Sequence, residues 1–336
     1  MTSPDQHADP IGSDPLPETL VDVVVIGGGA AGLNGALMLA RSRRSVVVLD
    51  SGTPRNAPAE GIHGLLGNEG TPPGDFLERG RAEVRQYGGV VVAATVRDAR
   101  PVPAEDGDLR FSITLADGRD LTARRVLVAT GIRDELPQIP GLSRHWGHGL
   151  VHCPFCHGYE VRDQAIGVIA SLPAHAHLAL MFRALSEDVE VFAAGVELDP
   201  AARERFAALG VIVHETPIQE VLADSDGEIV GLRLAGGEVV ERSVLAAGTR
   251  MTPRLEGLEG LGLTIEELPA GMGQKVTTGM AGTVEVPGVR VAGNAADPSA
   301  QVGASTAAGA LAGAHLHAEL VTAEADAAVA ALALRG

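Results

Sequence analysis

The hydrophobic pattern falls into short apolar runs punctuated by small residues. Val21-Asp22-Val23-Val24-Val25-Ile26 is a near-continuous β-branched run, as a strand buried on both faces of a parallel sheet requires. A helix from Leu33 to Ser42 follows, then an apolar strand, Ser45–Leu49. The same strand–turn–helix–strand plan returns later as Ala165–Ala170, a helix to about Leu185, and Val189–Ala193. Elsewhere the pattern predicts helices over Phe76–Tyr87 and Pro200–Leu209. It predicts further strands over Val90–Val96, Phe111–Leu115, Leu121–Val128, Val211–His214, Ile229–Leu234 and Val239–Val244. Asp117-Gly118 reads as a hairpin turn between two of them. Two strands leave alike through small residues, at Ala129-Thr130-Gly131 and at Ala246-Ala247-Gly248, and Pro137, Pro140 and Gly141 mark a boundary after the first. A last short strand, Val289–Asn294, feeds a small-residue helix from Gln301 to about Leu320. Met1 to about Glu18 is polar, holds four prolines and has no periodicity, so a disordered tail is expected there. The Ala-rich end from Thr322 reads as a surface helix or a tail.

The two repeated units differ in their turns. The first is Gly27-Gly28-Gly29-Ala30-Ala31-Gly32, a G-x-G-x-x-G placed between strand and helix. Gly27 permits the tight turn, Gly29 lets the backbone approach a pyrophosphate, and Gly32 lets helix and strand pack closely. The partner strand ends in Asp50, 18 residues beyond Gly32, where an acid can bond ribose hydroxyls. Strand, glycines, helix, strand and acid together indicate a bound dinucleotide. The second turn is Ser171-Leu172-Pro173-Ala174-His175, with no glycine between Gly167 and Gly195. Its partner strand ends without an acid for ribose or an arginine for a 2′-phosphate, so the unit keeps the plan and loses the ligand. His175 and His177 read as surface residues. The irregular stretch Ser51–Gly74, carrying Arg55, Asn56, His63 and Asn68, is long enough to suggest function.

The only cysteines are Cys153 and Cys156, in Cys153-Pro154-Phe155-Cys156-His157. A two-residue spacing on a tight turn allows cycling between dithiol and disulfide, and a cationic neighbour or helix start would favour the reactive thiolate. A purely structural disulfide is the plainer reading. Haem attachment also uses Cys-x-x-Cys-His, but it needs export, and the N-terminus offers no basic or apolar export segment. A zinc site from His152, Cys153, Cys156 and His157 would require near-adjacent side chains to converge on one tetrahedron. No metal site is expected. His157, with an imidazole that titrates near neutrality, is the candidate base. His145, His148 and His152 are expected to be structural.

Composition narrows the partners. A length of 336 residues suits about two domains, and 45% apolar residues give an ordinary globular core. A net charge of −17 disfavours nucleic acid and anionic membrane surfaces. No apolar run is long enough to span a membrane, and the cysteine usage fits the cytosol.

Gly27–Gly32 with Asp50, Ala129-Thr130-Gly131, Cys153–Cys156, and Gly293-Asn294 before a small-residue helix occur in the order that resembles the low-molecular-weight thioredoxin reductases. The resemblance covers roughly residues 19 to 322. It implies FAD as cofactor and a thioredoxin reductase-like α/β fold of two Rossmann-like (three-layer ββα) domains. Residues 19–131 and 248–322 would form a discontinuous FAD domain and 132–247 an NAD(P)H-like domain carrying the cysteines, with 323–336 a helix or tail. It also implies cofactor contacts at Gly27, Gly29, Ala30, Ala31, Gly32, Asp50, Arg55, Asn56, Thr130, Gly293, Asn294, Gln301 and Val302, and a homodimer. Three departures stand out: His157 where the reductases have Asp, a stripped second turn, and Gly293-Asn294 for Gly-Asp. They are similar to the dithiol oxidases that close disulfides in gliotoxin- and holomycin-type natural products. The implied reaction is attack by a substrate thiolate on Cys153, closure of the product disulfide, electron transfer through Cys156 to FAD, and reoxidation by oxygen to hydrogen peroxide. The alternatives are a disulfide reductase fed by NAD(P)H or another donor, and a non-catalytic flavin-binding sensor.

Overall fold

The structure is a computed structural model and describes residues 12–104, 107–193 and 195–334. Strand β1 (Val21–Ile26) turns into helix α1 (Ala30–Arg41), which returns to β2 (Val46–Asp50); α2 (Pro73–Gln86) leads to β3 (Val90–Ala93). A meander follows: β4 (Val96–Val102), β5 (Arg110–Leu115) and β6 (Asp120–Val128). The sheet runs β3-β2-β1-β6-β5-β4. Parallel pairing joins β3, β2, β1 and β6, while β5 is antiparallel to the first half of β6. The apolar runs are the reason for this layout, because Val23, Val24 and Val25 are all fully buried and need cover on both faces.

The chain leaves this sheet along β7 (Ile132–Glu135) and enters a second through β8 (Leu150–Val151), followed by the single helical turn α3 (Pro154–His157). Then come β9 (Ile166–Ile169), α4 (Ala176–Arg183), β10 (Val189–Phe192), α5 (Pro200–Ala208) and β11 (Ile212–His214). An antiparallel sheet of β12 (Ile218–Ala223), β13 (Ile229–Leu234) and β14 (Val239–Glu241) lies against it, before β15 (Val244–Ala247) closes the parallel order β11-β10-β9-β15-β8. The return crossing, β16 (Arg250–Pro253), pairs antiparallel with β7. After the hairpin β17 (Ile265–Glu267) and β18 (Gln274–Val276), strand β19 (Val289–Val291) adds to the second half of β6. Helix α6 (Val302–Ala333) then packs along α1. Gly309 faces the backbone of Ala31 so closely that any side chain there would collide with it. No helix among the described residues is long and apolar enough to cross a membrane.

Several expectations are corrected. Val90–Val96 is two strands, broken at Ala94-Thr95, and Val239–Val244 divides at Arg242-Ser243 between two sheets. The expected tail is not loose from residue 12 to residue 18; residues 1–11 lie outside the described residues. Asp14 exchanges backbone and side-chain hydrogen bonds with Val91 at 2.9 and 2.8 Å, covering the open edge of β3. The Ala-rich end continues α6 without a break, and Glu324 on it binds Arg44 and Arg124.

Candidate functional site

A cleft of about 1410 Å³ runs from the glycine turn after β1 to the cysteine pair. Every residue expected at the site lines it except Gly32. Gly32 lies beneath the turn, where a side chain would strike the Gly27 carbonyl, so its part is to let α1 sit on β1. Gly29 is the N-cap of α1, with no side chain capping the helix, no acid in its first turn, and open space where a Cβ would stand. The amides that open α1 therefore face the cleft with the positive end of the helix dipole. Asp50 ends β2 with its carboxylate against Gly28.

The far end of the cleft repeats this arrangement. Gln301 caps α6 through its backbone alone, again with no acid in the first turn. Val302 follows as the first helical residue, and Gly293 lies at the exit of β19. The Asn294 amide donates to the carbonyls of Asp297, Pro298 and Ala300, at 3.2, 3.2 and 2.8 Å, and so ties down the loop that aims α6. Thr130 Oγ1 is buried in the cleft wall without a hydrogen-bond partner. An orphaned hydroxyl, two uncapped helix starts and a carboxylate at the ribose position form a donor and acceptor set that fits FAD.

Cys153 and Cys156 are joined as a disulfide, with Cα atoms 5.2 Å apart. Cys153 is the N-cap of α3, Pro154 fills the first helical position, and the Cys156 and His157 amides both donate to the Cys153 carbonyl, at 3.1 and 3.2 Å. Gln301 Nε2 lies 4.0 Å from Cys156 Sγ, which puts the pair at the N-terminus of α6.

Both ring nitrogens of His157 are buried without partners. Burial pushes its pKa below the ordinary value, the nearby His63 pushes the same way, and Glu160 and Glu60 oppose. The imidazole is thus neutral at pH 7, with one ring nitrogen unprotonated. His63 stands across from it, bonded to Glu69 at 2.7 Å.

Sequence reading missed a polar cluster under the cysteines. Arg55 reaches the cleft, but its Nε and Nη2 donate to Asp134 at 2.5 and 2.7 Å, and Nη2 also to His152 Nε2 at 3.1 Å. Thr249 Oγ1 donates to the same Asp134 carboxylate at 2.6 Å. Burial alone would raise the Asp134 pKa; the bonds and charge of Arg55, with the Thr249 hydroxyl, reverse that, and the carboxyl ends below its ordinary range. Burial and then Arg55 push His152 down to about 4. Residues 55, 134, 152 and 249 share no local spacing, and the only hint in the chain is the pair of similar strand exits near residues 131 and 248. Asn56 lines the cleft beside them.

The second turn is closed by a side chain. Contrary to expectation His175 is buried while His177 is exposed. The His175 ring lies directly against Gly248, leaving no room for a Cβ there, and Nδ1 meets Ser171 Oγ at 3.3 Å. Pro173 takes the first helical position and brings no N–H.

The family model for pyridine nucleotide-disulphide oxidoreductases matches residues 21–314. A relative named thioredoxin reductase tcpT, from Claviceps purpurea (strain 20.1), is 33% identical over 262 residues, 75% of this chain and 80% of that protein. Thioredoxin reductase sirT from Leptosphaeria maculans is 30% identical over 301 residues, 84% and 89% of the two chains. Among solved structures, HlmI superposes with a TM-score of 0.88 at 43% identity, covering 95% of this chain and 98% of its own. The chain therefore belongs to the pyridine nucleotide-disulphide oxidoreductase family, as an FAD-dependent oxidoreductase of thioredoxin reductase-like fold that acts on disulfides.

Proposed function

We propose that the protein is a dithiol oxidase, forming a disulfide in a small-molecule dithiol and using oxygen as the acceptor. The observation that carries this is the His175 ring filling the second nucleotide turn, while the first turn and the cysteine end share one open cleft. The sheet β3-β2-β1-β6-β5-β4 with β19 and α6 forms the FAD domain in this reading, and the β8–β15 region is the carrier of the cysteines. The enzyme works as a cytosolic homodimer.

His157 takes the proton of a substrate thiol, and the thiolate attacks Cys153 Sγ. The Cys153–Cys156 bond breaks, a mixed disulfide forms, and Cys156 leaves as thiolate. The second substrate thiol gives its proton to the Cys156 thiolate and then attacks the substrate sulfur bonded to Cys153, so the product disulfide forms and Cys153 leaves as thiolate, with both thiol protons held by Cys156 and His157. FAD, which Gly27, Gly29, Asp50 and Gln301 would hold, would supply the acceptor for the two electrons now on the enzyme dithiol, and oxygen would take those electrons and the two thiol protons as hydrogen peroxide. The unpartnered ring nitrogens of His157, and its place with both cysteines on the cleft wall, support the first proton step.

The relatives bear the name thioredoxin reductase, which favours a second reading in which a nicotinamide donor reduces a disulfide. Anaerobic rapid mixing separates the two. Dithiothreitol, a small dithiol, should bleach the flavin much faster than NADPH, and aerobic turnover should yield one peroxide per disulfide. Sub-second bleaching by NADPH would reverse the assignment.

A further inference from the structure

The chain crosses between its two parallel sheets only twice among the described residues, along β7 and along β16. Asp134 lies on the first crossing, and Thr249 enters the second. Arg55 belongs to the loop that follows β2 of the first sheet, and His152 adjoins β8 of the second. One cluster thus joins both sheets and both crossings, and it ends one residue before Cys153.

The geometry favours a positional role over a stabilising one. A buried ion pair adds little net stability, because the loss of water offsets the attraction. What it does well is fix orientation, and the planar Arg55 fork meets the Asp134 carboxylate through two donors. The Asp134 side chain is only 7% exposed and does not line the cleft, so it contacts Arg55 and Thr249 instead of a ligand. The His152 ring is constrained twice, by Arg55 at Nε2 and by stacking on Trp146 with ring centres 5.4 Å apart. Because Nε2 accepts from Arg55, the neutral ring carries its proton on Nδ1.

We propose that Arg55, clamped by Asp134 and Thr249, is a positioning residue that holds His152 and the adjoining cysteine turn, and so keeps Cys156 at the N-terminus of α6. This holds for either direction of electron flow, so it rests on the disulfide chemistry of the family and not on the oxidase reading.

Asp134→Asn tests it in the FAD-loaded protein, since that change is isosteric and outside the cleft. The amides of Cys156 and His157 should exchange with solvent about tenfold or more faster as the turn opens locally. In a Cys153→Ser background, the long-wavelength absorbance of the Cys156 thiolate beside flavin should be largely lost. Dithiol turnover should fall by about 10²-fold, the scale of a small misplacement of reacting groups. Arg55→Lys, which keeps the charge and loses the fork, should fall between wild type and Arg55→Gln in all three measurements. Combining Arg55→Gln with Asp134→Asn should add little to either alone. Unchanged exchange and absorbance in Asp134→Asn, with only a lower melting temperature, would overturn the proposal. If Asp134→Asn does not fold, Thr249→Val removes one hydrogen bond to the same carboxylate; a smaller shift in the same direction supports the clamp, and none overturns it.

Discussion

Both halves of the molecule rise along an apolar strand, turn at its C-terminal end and descend along a helix, but the two turns are made of different material. After β1 the turn is backbone: glycines lie close to the sheet, α1 starts uncapped, and Asp50 waits at the end of β2. After β9 the turn is side chain: Pro173 removes a donor and His175 occupies the space against Gly248. The strands themselves hardly differ, since Ile166, Val168 and Ile169 are as deeply buried as Val23 to Val25. A parallel sheet needs only apolar strands and covering helices to persist. A phosphate needs free amides and room, and loses both to a few substitutions that leave the sheet intact. In the proposed reading the second unit is a scaffold, presenting the cysteine turn beside β8 to the cleft that the first unit lines.

The largest effect comes from damaging the turn that works. Gly32→Val would drive its side chain into the Gly27 carbonyl and push α1 off β1. The overpacking costs about 1–3 kcal/mol or more and displaces the amides at the start of α1. Purified protein should then carry almost no FAD, read from the ratio of flavin to protein absorbance. Ser171→Gly in the other turn should leave that ratio at the wild-type value. A flavin-replete Gly32→Val would break the contrast.

Next in size is the proposed base. His157→Ala should lose about 10²–10⁴ in dithiol oxidation near pH 7. Burial holds the His157 pKa below its ordinary value of 6.5, so the wild-type base stays neutral, and the rate stays up, into mildly acid solution. The variant must wait for the thiol to ionise unaided, so its rate should climb toward a thiol pKa of about 8.5 and the deficit should shrink. A pH profile unchanged by the substitution would make His157 a packing residue.

The contrast between the turns was readable from residues alone, because glycine, proline and a terminal acid act locally. Other features were not. β7 and β16 read Ile-Arg-Asp-Glu and Arg-Met-Thr-Pro, with no apolar pattern, and exist because they pair with each other across more than a hundred residues. Val239 to Val244 looks like one strand, yet the chain changes sheets at Arg242, whose partners Asp188 and Glu190 lie far away in sequence. The edge of β3 draws in Asp14 from a segment whose composition suggests disorder. Arg55, Asn294 and His175 illustrate the same limit at the site. The family resemblance put the first two at the cleft, but their hydrogen bonds go to Asp134 and to the 297–300 loop. The third looked exposed only because its partner, Gly248, is distant in the chain.

The smallest effect should come from opening the turn that is closed. His175→Ala removes a buried ring and the contact with Ser171, at a cost of about 1–2 kcal/mol near neutral pH. The cost should itself depend on pH. Burial lowers the folded-state pKa of His175 below 6.5, so unfolding takes up a proton as the solution is acidified. That histidine's contribution is fully present above the ordinary pKa and is lost as pH falls toward the folded one. The gap between wild type and His175→Ala should therefore narrow from pH 7.5 to pH 5.5 in denaturant melts. The vacated crevice still has Pro173 at the helix start and no acid at the end of β10, so flavin reduction by NADPH should stay far slower than by dithiol. A variant reduced by NADPH at the dithiol rate would show that one ring, and not the whole turn, had excluded the nucleotide.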